Sequence, residues 1–409
     1  MSGDTRDEKR ADKWLAVVGI GEDGIDGLSP AAHALLAQAE LVVGGRRHLA
    51  LAGDLAAETY AWPSPIEGAL DVIEARRGRP VCVLASGDPF FFGVGAMLMR
   101  RFSPDEMICI PAPSAFALAA ARLGWSQQDC ATLSLHGRPL EAILPHLQPG
   151  QRILALSWDE ATPAKLATLL AARGMGPSRL TVCEAMGGPS ERIRTSEAEG
   201  FALENVAALN TIALEAIADR DAKVLPRAPG LPDDWFEHDG QITKRDVRAV
   251  TLSALAPRRG EVLWDVGAGS GSIGIEWMLA DPANRAVAIE ASVERAARAA
   301  RNALSLGVPA LEVVTGRAPE AFRDLGTPDA IFIGGGAARA IEAAAAALRP
   351  GGRLVVNAVT LETQALLVEE RARRGGDLVQ IAVAQAEPVG RFTGWRAAMP
   401  IVQWRWTKP

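Results

Sequence analysis

Asp265-Val266-Gly267-Ala268-Gly269-Ser270-Gly271 follows the apolar run Val262-Leu263-Trp264 and precedes Ser272-Ile273-Gly274-Ile275-Glu276-Trp277. That order reads as strand, tight glycine turn, helix. Glycines suit such a turn because the backbone bends sharply there and no Cβ blocks an approaching ligand. The free N–H groups of the helix start then face the ligand. A second acid, Glu290, ends the next apolar run, Ala286-Val287-Ala288-Ile289. Its spacing suits a carboxylate that hydrogen-bonds ribose hydroxyls at the end of the second strand.

Two ligands use this geometry, a dinucleotide and S-adenosylmethionine (SAM), and a structural turn with no ligand is the third reading. Gly269-Ser270-Gly271-Ser272-Ile273-Gly274 fits the dinucleotide pattern. Two details favour SAM. Asp265 stands where it can meet an ammonium group, and the glycine cluster begins earlier than the dinucleotide fit requires. Asp-x-Gly-x-Gly-x-Gly resembles the first motif of class I SAM-dependent methyltransferases.

The chain has 409 residues, a comfortable length for two domains. Its hydrophobic fraction of 48% and charged fraction of 22% are those of a globular protein. A net charge of −6 argues against a nucleic-acid partner. Cys82, Cys109, Cys130 and Cys183 are far apart and form no Cys-x-x-Cys pair, so reduced cysteines in a cytoplasmic protein are expected, and no metal. Residues 1–13 are almost all polar, lack the apolar core of a signal peptide, and read as a disordered tail. No run approaches the roughly 18 apolar residues of a membrane span, so no membrane partner is expected.

Apolar runs alternate with helical patterns in both halves, which predicts α/β architecture with parallel or mixed sheets. In the first half the runs are Leu15–Val18, Leu41–Val43, Val81–Leu84, Ile108–Ile110, Ile153–Leu156 and Thr211–Ile217, with a helix N-capped by Ser29 and opened by Pro30. Residues 219–234 are rich in charge, proline and glycine and read as a linker. The second-half strands are Val262–Val266, Ala286–Glu290, Leu311–Thr315, Ala330–Ile333 and Arg353–Ala358. The expected domains are therefore 14–218 and 235–409, and no internal repeat joins them.

Three further stretches sharpen the second half: Asp239-Gly240-Gln241-Ile242-Thr243-Lys244-Arg245-Asp246, Phe332-Ile333-Gly334-Gly335-Gly336, and Asn357-Ala358-Val359-Thr360-Leu361-Glu362-Thr363. With the glycine turn they resemble the C15-methylating, decarboxylating enzymes of cobalamin synthesis, which have a Rossmann-like class I fold. The resemblance implies that Thr243, Gly267, Ala268, Gly269, Ser270, Gly271, Glu290 and Ala318 contact SAM. It also puts Arg317 beside the adenine and Gly334 at the pocket. From the residues alone, Thr243 also reads as a capping box with Asp246, and Gly334-Gly335-Gly336 as a plain flexible turn.

Gly19, Gly21 and Gly24 again fit the dinucleotide pattern, but no acid ends the next strand. Leu84-Ala85-Ser86-Gly87-Asp88-Pro89-Phe90-Phe91-Phe92-Gly93, Pro111-Ala112-Pro113-Ser114-Ala115 and Val43-Gly44-Gly45-Arg46-Arg47-His48-Leu49 carry a different signal. They resemble the tetrapyrrole methylases (class III), whose two α/β lobes hold SAM in a cleft, and most of all their C5-methylating branch. The resemblance makes Gly19, Gly21, Gly87, Asp88, Pro89, Ser114 and Gly137 cofactor-binding. Gly87–Pro89 also reads as a tight turn without a ligand.

The pairing resembles the fused C5,15-methylating, decarboxylating enzymes that act on precorrin-6Y. It implies one SAM per domain, a small tetrapyrrole substrate and a homo-oligomer. It also implies methyl transfer to C5 and C15 with loss of CO2 from the C12 acetate. A meso carbon of an enamine-like macrocycle is already nucleophilic, so alignment supplies much of the rate. Substrate carboxylates call for arginines. The candidates are Arg46, Arg47, Arg138 and Arg192 in the first half, and Arg245, Arg248, Arg391 and Arg396 in the second; the alternative for each is a surface arginine. His48 and His136 read first as hydrogen-bonded structural histidines, with proton transfer as the alternative, and Glu276 reads as a helix residue packing on the sheet, with facing the site as its alternative. A cobalt-containing version of the substrate, another methyl acceptor, a reductase and a SAM sensor are the rival functions.

Overall fold

The computed structural model describes residues 13–409; apart from Lys13, the expected tail lies outside the described residues. The chain divides into two compact units. One comprises the residues up to Arg138 together with Gln148–Lys223, and the other comprises Pro139–Leu147 with Val224–Pro409.

The first unit holds β1 (Leu15–Ile20), β2 (Leu41–Gly44), β3 (Glu58–Ala61), β4 (Val81–Ser86) and β5 (Met107–Ile110). They form a parallel sheet in the order β3-β2-β4-β1-β5. Alternate residues of β1 enter different cores. Leu15 and Val17 pack with Val81 and Phe102, while Ala16, Val18 and Ile20 pack with Leu36 and Leu84. Burial on both faces is why these strands read as unbroken apolar runs. The helix Pro30–Gln38 starts as expected, with Ser29 Oγ accepting from the Ala32 N–H.

The same unit holds a second sheet of β6 (Cys130–Ser134), β7 (Arg152–Leu156), β8 (Arg179–Glu184), β9 (Arg192–Glu197) and β10 (Asn210–Glu215). Its order is β6-β7-β10-β8-β9, with only the β6–β7 pair parallel. The helix Ala115–Leu123, which leaves the first sheet after β5, buries Phe116, Ala119 and Ala120 against Leu154, Cys183 and Ala213 of this second sheet. One helix thus ties the two sheets together.

The second unit is built on β11 (Val262–Val266), β12 (Arg285–Glu290), β13 (Glu312–Thr315), β14 (Ala330–Ile333), β15 (Arg353–Ala358), β16 (Asp377–Ile381) and β19 (Ile401–Thr407), with a hairpin of β17 (Ala384–Val389) and β18 (Phe392–Ala397). The sheet order is β13-β12-β11-β14-β15-β19-β16, and β19 is antiparallel to both its neighbours. Strand order reverses between β11 and β14, which places a ligand crevice at the carboxyl ends of those strands. The five strands read from the sequence are present; β16 to β19 were not anticipated. In β19 the alternation Trp404, Trp406 against Gln403, Arg405 departs from a simple apolar face.

The stretch 219–234, expected as a linker, is not loose chain. Leu225 and Leu231 are buried, and the Gly230 and Leu231 N–H groups donate to the Glu276 carboxylate at 2.6 and 2.9 Å. The segment Pro139–Leu147 also departs from the contiguous 14–218 domain expected. It belongs to the second unit, where Gly307 (φ +82°) offers the space filled by Leu144 and Pro145.

Candidate functional site

In the second unit the carboxyl ends of β11, β12, β13, β14 and β15 open into a cavity of about 1230 Å³. The glycine turn forms one wall. Gly267 has φ +72°, and a Cβ there would lie 3.0 Å from the backbone nitrogen of Gly335. The loops after β11 and β14 therefore meet backbone to backbone. Gly269 has φ +57°, and its N–H donates to Glu290 Oε2 at 2.8 Å. Glu290 Oε1 accepts from the Ser292 N–H at 2.9 Å. The acid at the end of β12 thus holds the glycine turn and presents its carboxylate at the cavity wall.

Thr243, Gly267, Ala268, Gly269, Glu290, Arg317, Ala318 and Gly334 all line this cavity. Thr243 does not form the capping box. The cap of the helix Arg245–Leu255 is Lys244, with no side-chain bond, and the Thr243 carbonyl accepts from Arg248 Nη1. Ser270 and Gly271 stand behind the turn and do not reach the cavity. The Ser270 carbonyl accepts from Asn302 Nδ2 at 2.9 Å, and a Cβ on Gly271 would lie 3.0 Å from Ala299 Cβ. These two residues shape the turn against the helix Val293–Ser305.

Asp265 is not at the cavity either. It is 1% exposed, and its Oδ2 accepts from the Gly274 N–H at 2.9 Å, so the carboxyl caps the following helix from within. Other expectations change as well, three of them (Arg248, Glu276 and Arg192) because of a buried partner. Arg248 is fully buried and pairs with Glu276 and Asp233 beneath the Phe236 ring. Glu276 consequently faces the 230–231 backbone rather than the site. Arg192 is bound to the buried Glu184, and Arg391 lies over Phe392. Arg245 is exposed and outside the cavity lining, whereas Arg396 lines the cavity but is paired with Glu387.

The first-unit candidates gather where parallel strands end. Gly19 closes on the neighbouring loops so tightly that a Cβ would fall well inside contact distance of the Gly87 carbonyl oxygen and the Ala112 nitrogen. Gly87 has φ +53°, and its carbonyl accepts from the Ala112 N–H at 3.1 Å. Asp88 Oδ1 accepts from the Phe90 N–H at 2.9 Å, which with Pro89 sets the loop. Ser114 caps the helix Ala115–Leu123 through the Ala117 N–H at 3.1 Å. Gly21 lies beside Asp23, while Gly137 (φ +67°) follows β6 in the other sheet, where a Cβ meets open space.

Beside this loop, Arg47 pairs with Glu22 and donates to Ser86 Oγ at 3.1 Å. His48 Nε2 lies 2.8 Å from the same hydroxyl and 3.0 Å from Arg47 Nη2. A guanidinium only donates, so His48 Nε2 accepts and the ring is neutral; burial first, then Arg47, pushes its pKa down to about 4. Arg46 and Arg138 are exposed, and His136 lies beside Trp158, with ring centroids 6.3 Å apart. Replacing Gly19 with alanine should destabilise the first unit by roughly 1–3 kcal/mol, because only backbone can give way. Denaturant unfolding of the variant checks this, and a loss below about 0.5 kcal/mol would contradict the crowding.

Residues 15–202 match the tetrapyrrole (corrin/porphyrin) methylases, and 234–408 match the precorrin methyltransferase domain. A precorrin-6Y C(5,15)-methyltransferase [decarboxylating] of Sinorhizobium sp is 57% identical across 97% of this chain and 96% of its own length. The chain belongs to the precorrin-6Y C(5,15)-methyltransferase (decarboxylating) family. A Mycobacterium tuberculosis member is 41% identical over 96% of this chain and 100% of the relative. The C-terminal domain of the Rhodobacter capsulatus enzyme, a solved structure, is 48% identical, covering 45% of this chain and 100% of that one, with a TM-score of 0.43.

As a methyltransferase of this family the chain uses SAM, and the second-unit cavity fits that donor on one direct observation. Cβ positions on Gly269 and Gly335 meet no wall closer than 3.5 Å, so the turn leaves a cradle that side chains would fill. Arg295, Arg339, Asn357 and the hairpin residues Gln385 and Glu387 also line the cavity and were not assigned to the site from sequence. They come from helices, from the end of β15 and from the hairpin, and share no local motif with the glycine turn.

Burial, and next to it the charge of Glu290, raises the Asp265 pKa to about 7, against the opposing Gly274 hydrogen bond. The folded state therefore binds a proton that the unfolded chain has released above its ordinary value of 3.8. Between that value and about 7 the second unit should lose stability as pH rises, and below 3.8 the effect is absent. Comparing unfolding of wild type and Asp265→Asn from pH 4 to 8 checks this. Parallel pH profiles for the two proteins would contradict it.

Proposed function

We propose that the first unit methylates C5 of precorrin-6Y and that the second methylates C15 and removes the C12 acetate carboxyl, each unit binding one SAM. The cavity at the carboxyl ends of β11 to β15 carries this reading, because its volume of about 1230 Å³ exceeds the roughly 300–1,000 Å³ of an ordinary small-ligand site. It has room for a nucleoside and part of a macrocycle together.

When bound, SAM supplies an electrophilic methyl on a sulfonium. The chain's own residues orient and enclose the reactants. Gly267, Gly269 and Glu290 would hold the amino-acid and ribose parts, and Arg317 and Ala318 would border the adenine. Arg317 and Arg339 have no ion-pair partner among the described residues, so both guanidiniums are available to anions in the cavity. The turn would hold that methyl for displacement by a meso carbon of the macrocycle, with S-adenosylhomocysteine as the leaving group and one proton released from the ring. In decarboxylation the C–C electron pair would enter the conjugated ring as CO2 leaves, and the former acetate carbon would then take up a proton and become a methyl group. Both steps rest on alignment and exclusion of water.

In the first unit Gly19, Gly21, Gly87, Asp88, Pro89, Ser114 and Gly137 are the assigned SAM contacts. A homo-oligomer in the cytoplasm belongs to the same reading. The oligomer is supported by the exposed apolar side chains Val389, Phe392, Trp395 and Met399 on and beside the hairpin. No helix among the described residues is long and apolar enough to cross a membrane. Equilibrium dialysis with labelled SAM tests the two-site reading: two molecules per chain are expected, and saturation at one would overturn it.

A further inference from the structure

A chain of polar side chains runs through the otherwise apolar packing between β15, β19 and the helix Arg245–Leu255. Thr251 and Gln403 are both fully buried. Asn357 stands opposite Gln403 in the β15–β19 pairing and lines the cavity. Thr251 Oγ1 donates to the Val247 carbonyl at 2.7 Å. It accepts from Asn357 Nδ2 and from Gln403 Nε2, each at 3.1 Å. Gln403 Nε2 also donates to Asn357 Oδ1 at 2.9 Å, and Gln403 Oε1 accepts from Arg405 Nε at 2.7 Å.

These bonds leave one orientation for each amide. Arginine only donates, so its partner on Gln403 is the oxygen, and the Gln403 nitrogen must face Asn357 and Thr251. The atom of Asn357 that accepts from that nitrogen is therefore its oxygen, and its nitrogen faces Thr251. One N–H and one lone pair of the Asn357 amide remain unused. Burying such a network holds no stability advantage over apolar residues of the same shape. Among the described side chains of this network, the one that reaches the cavity is Asn357. Holding that amide still is what the buried partners accomplish, as outer partners do for groups that contact a ligand.

We propose that Asn357 is a substrate-binding residue of the second unit, its free N–H donating to a carboxylate on a side chain of the macrocycle, and that Thr251 and Gln403 are positioning residues for it. The inference rests on the second unit's acting on a carboxylate-bearing tetrapyrrole. The full chain carries its own control, because the first unit contains none of these residues.

The test is steady-state turnover of precorrin-6Y with product masses resolved, plus SAM binding, for wild type, Asn357→Ala and Asn357→Asp. A lost charge-assisted hydrogen bond predicts a rise of about 10- to 100-fold in KM for the CO2-releasing step in Asn357→Ala. The Asn357→Asp carboxylate repels the substrate's, so its KM should rise further. SAM affinity and the single methylation by the first unit should be unchanged in both. A wild-type KM in Asn357→Ala, an aspartate variant no worse than alanine, or a parallel loss of SAM affinity would each overturn the proposal. Gln403→Leu should raise the same KM by a smaller factor, without moving SAM affinity. If Asn357→Ala lowers the unfolding midpoint, Asn357→Ser, which keeps a hydroxyl for the network, is read in its place, with the same KM rise expected. Wild type that fails to release CO2 would count against the function of the unit, and a normal Asn357→Ala beside active wild type against this inference alone.

Discussion

Gly269→Arg should leave a folded chain that adds one methyl group to precorrin-6Y and releases no CO2. A Cβ at Gly269 meets only the Gln241 carbonyl oxygen, at 3.5 Å, so the new side chain enters the cavity rather than the core. Its φ of +57° adds strain of about 1 kcal/mol, too little to unfold the unit. An arginine there fills the cradle and lies beside Glu290, the carboxylate assigned to the ribose. The expected result is one SAM per chain where wild type binds two, and a loss of more than about 10²-fold in second-unit turnover, the cost of misplaced reactants. C5 methylation should be unaffected. An unchanged binding stoichiometry would remove the cavity from the account.

Arg248→Met should destabilise the second unit by about 3–5 kcal/mol, the cost of leaving a buried carboxylate without its charge partner. Arg248 joins three segments: it pairs with Glu276 on the helix Ser272–Ala280, with Asp233 and the Leu231 carbonyl, and with the Thr243 carbonyl ahead of its own helix. Glu276 would keep only the Gly230 and Leu231 N–H groups. Because Thr243 borders the cavity, C15 methylation should weaken along with stability. Amide exchange of the helix Ser272–Ala280 reads the change in this unit. The double variant Arg248→Met, Glu276→Leu should recover much of the loss, since it removes the stranded charge. A loss under about 1 kcal/mol in the single variant would contradict the role given to this pair.

What was legible in the chain was local. Strand, glycine turn, helix and second-strand acid lie within one continuous stretch, and Gly267, Gly269 and Glu290 stand where that pattern puts them. The Ser29 cap and the five central strands of the second unit were equally readable. The direction of a side chain on an element was not. Asp265 and Arg248 carry the residue types of a ligand site, yet both turn inward to partners that tertiary packing brings to them. Arg192 was a candidate for the same reason, and it pairs across a strand with Glu184. The network of Thr251, Asn357 and Gln403 draws on segments far apart in sequence. Only the antiparallel insertion of β19 between β15 and β16 brings Asn357 and Gln403 face to face. Nothing in the local pattern of Ile401–Thr407 announces that insertion.

The most direct test of the account is the mass of the product formed when the full chain is incubated with SAM and precorrin-6Y. The account predicts a gain of two methyl groups and the loss of one CO2, with two S-adenosylhomocysteines formed per macrocycle. A substrate returned unchanged by protein that binds SAM at two sites would contradict it.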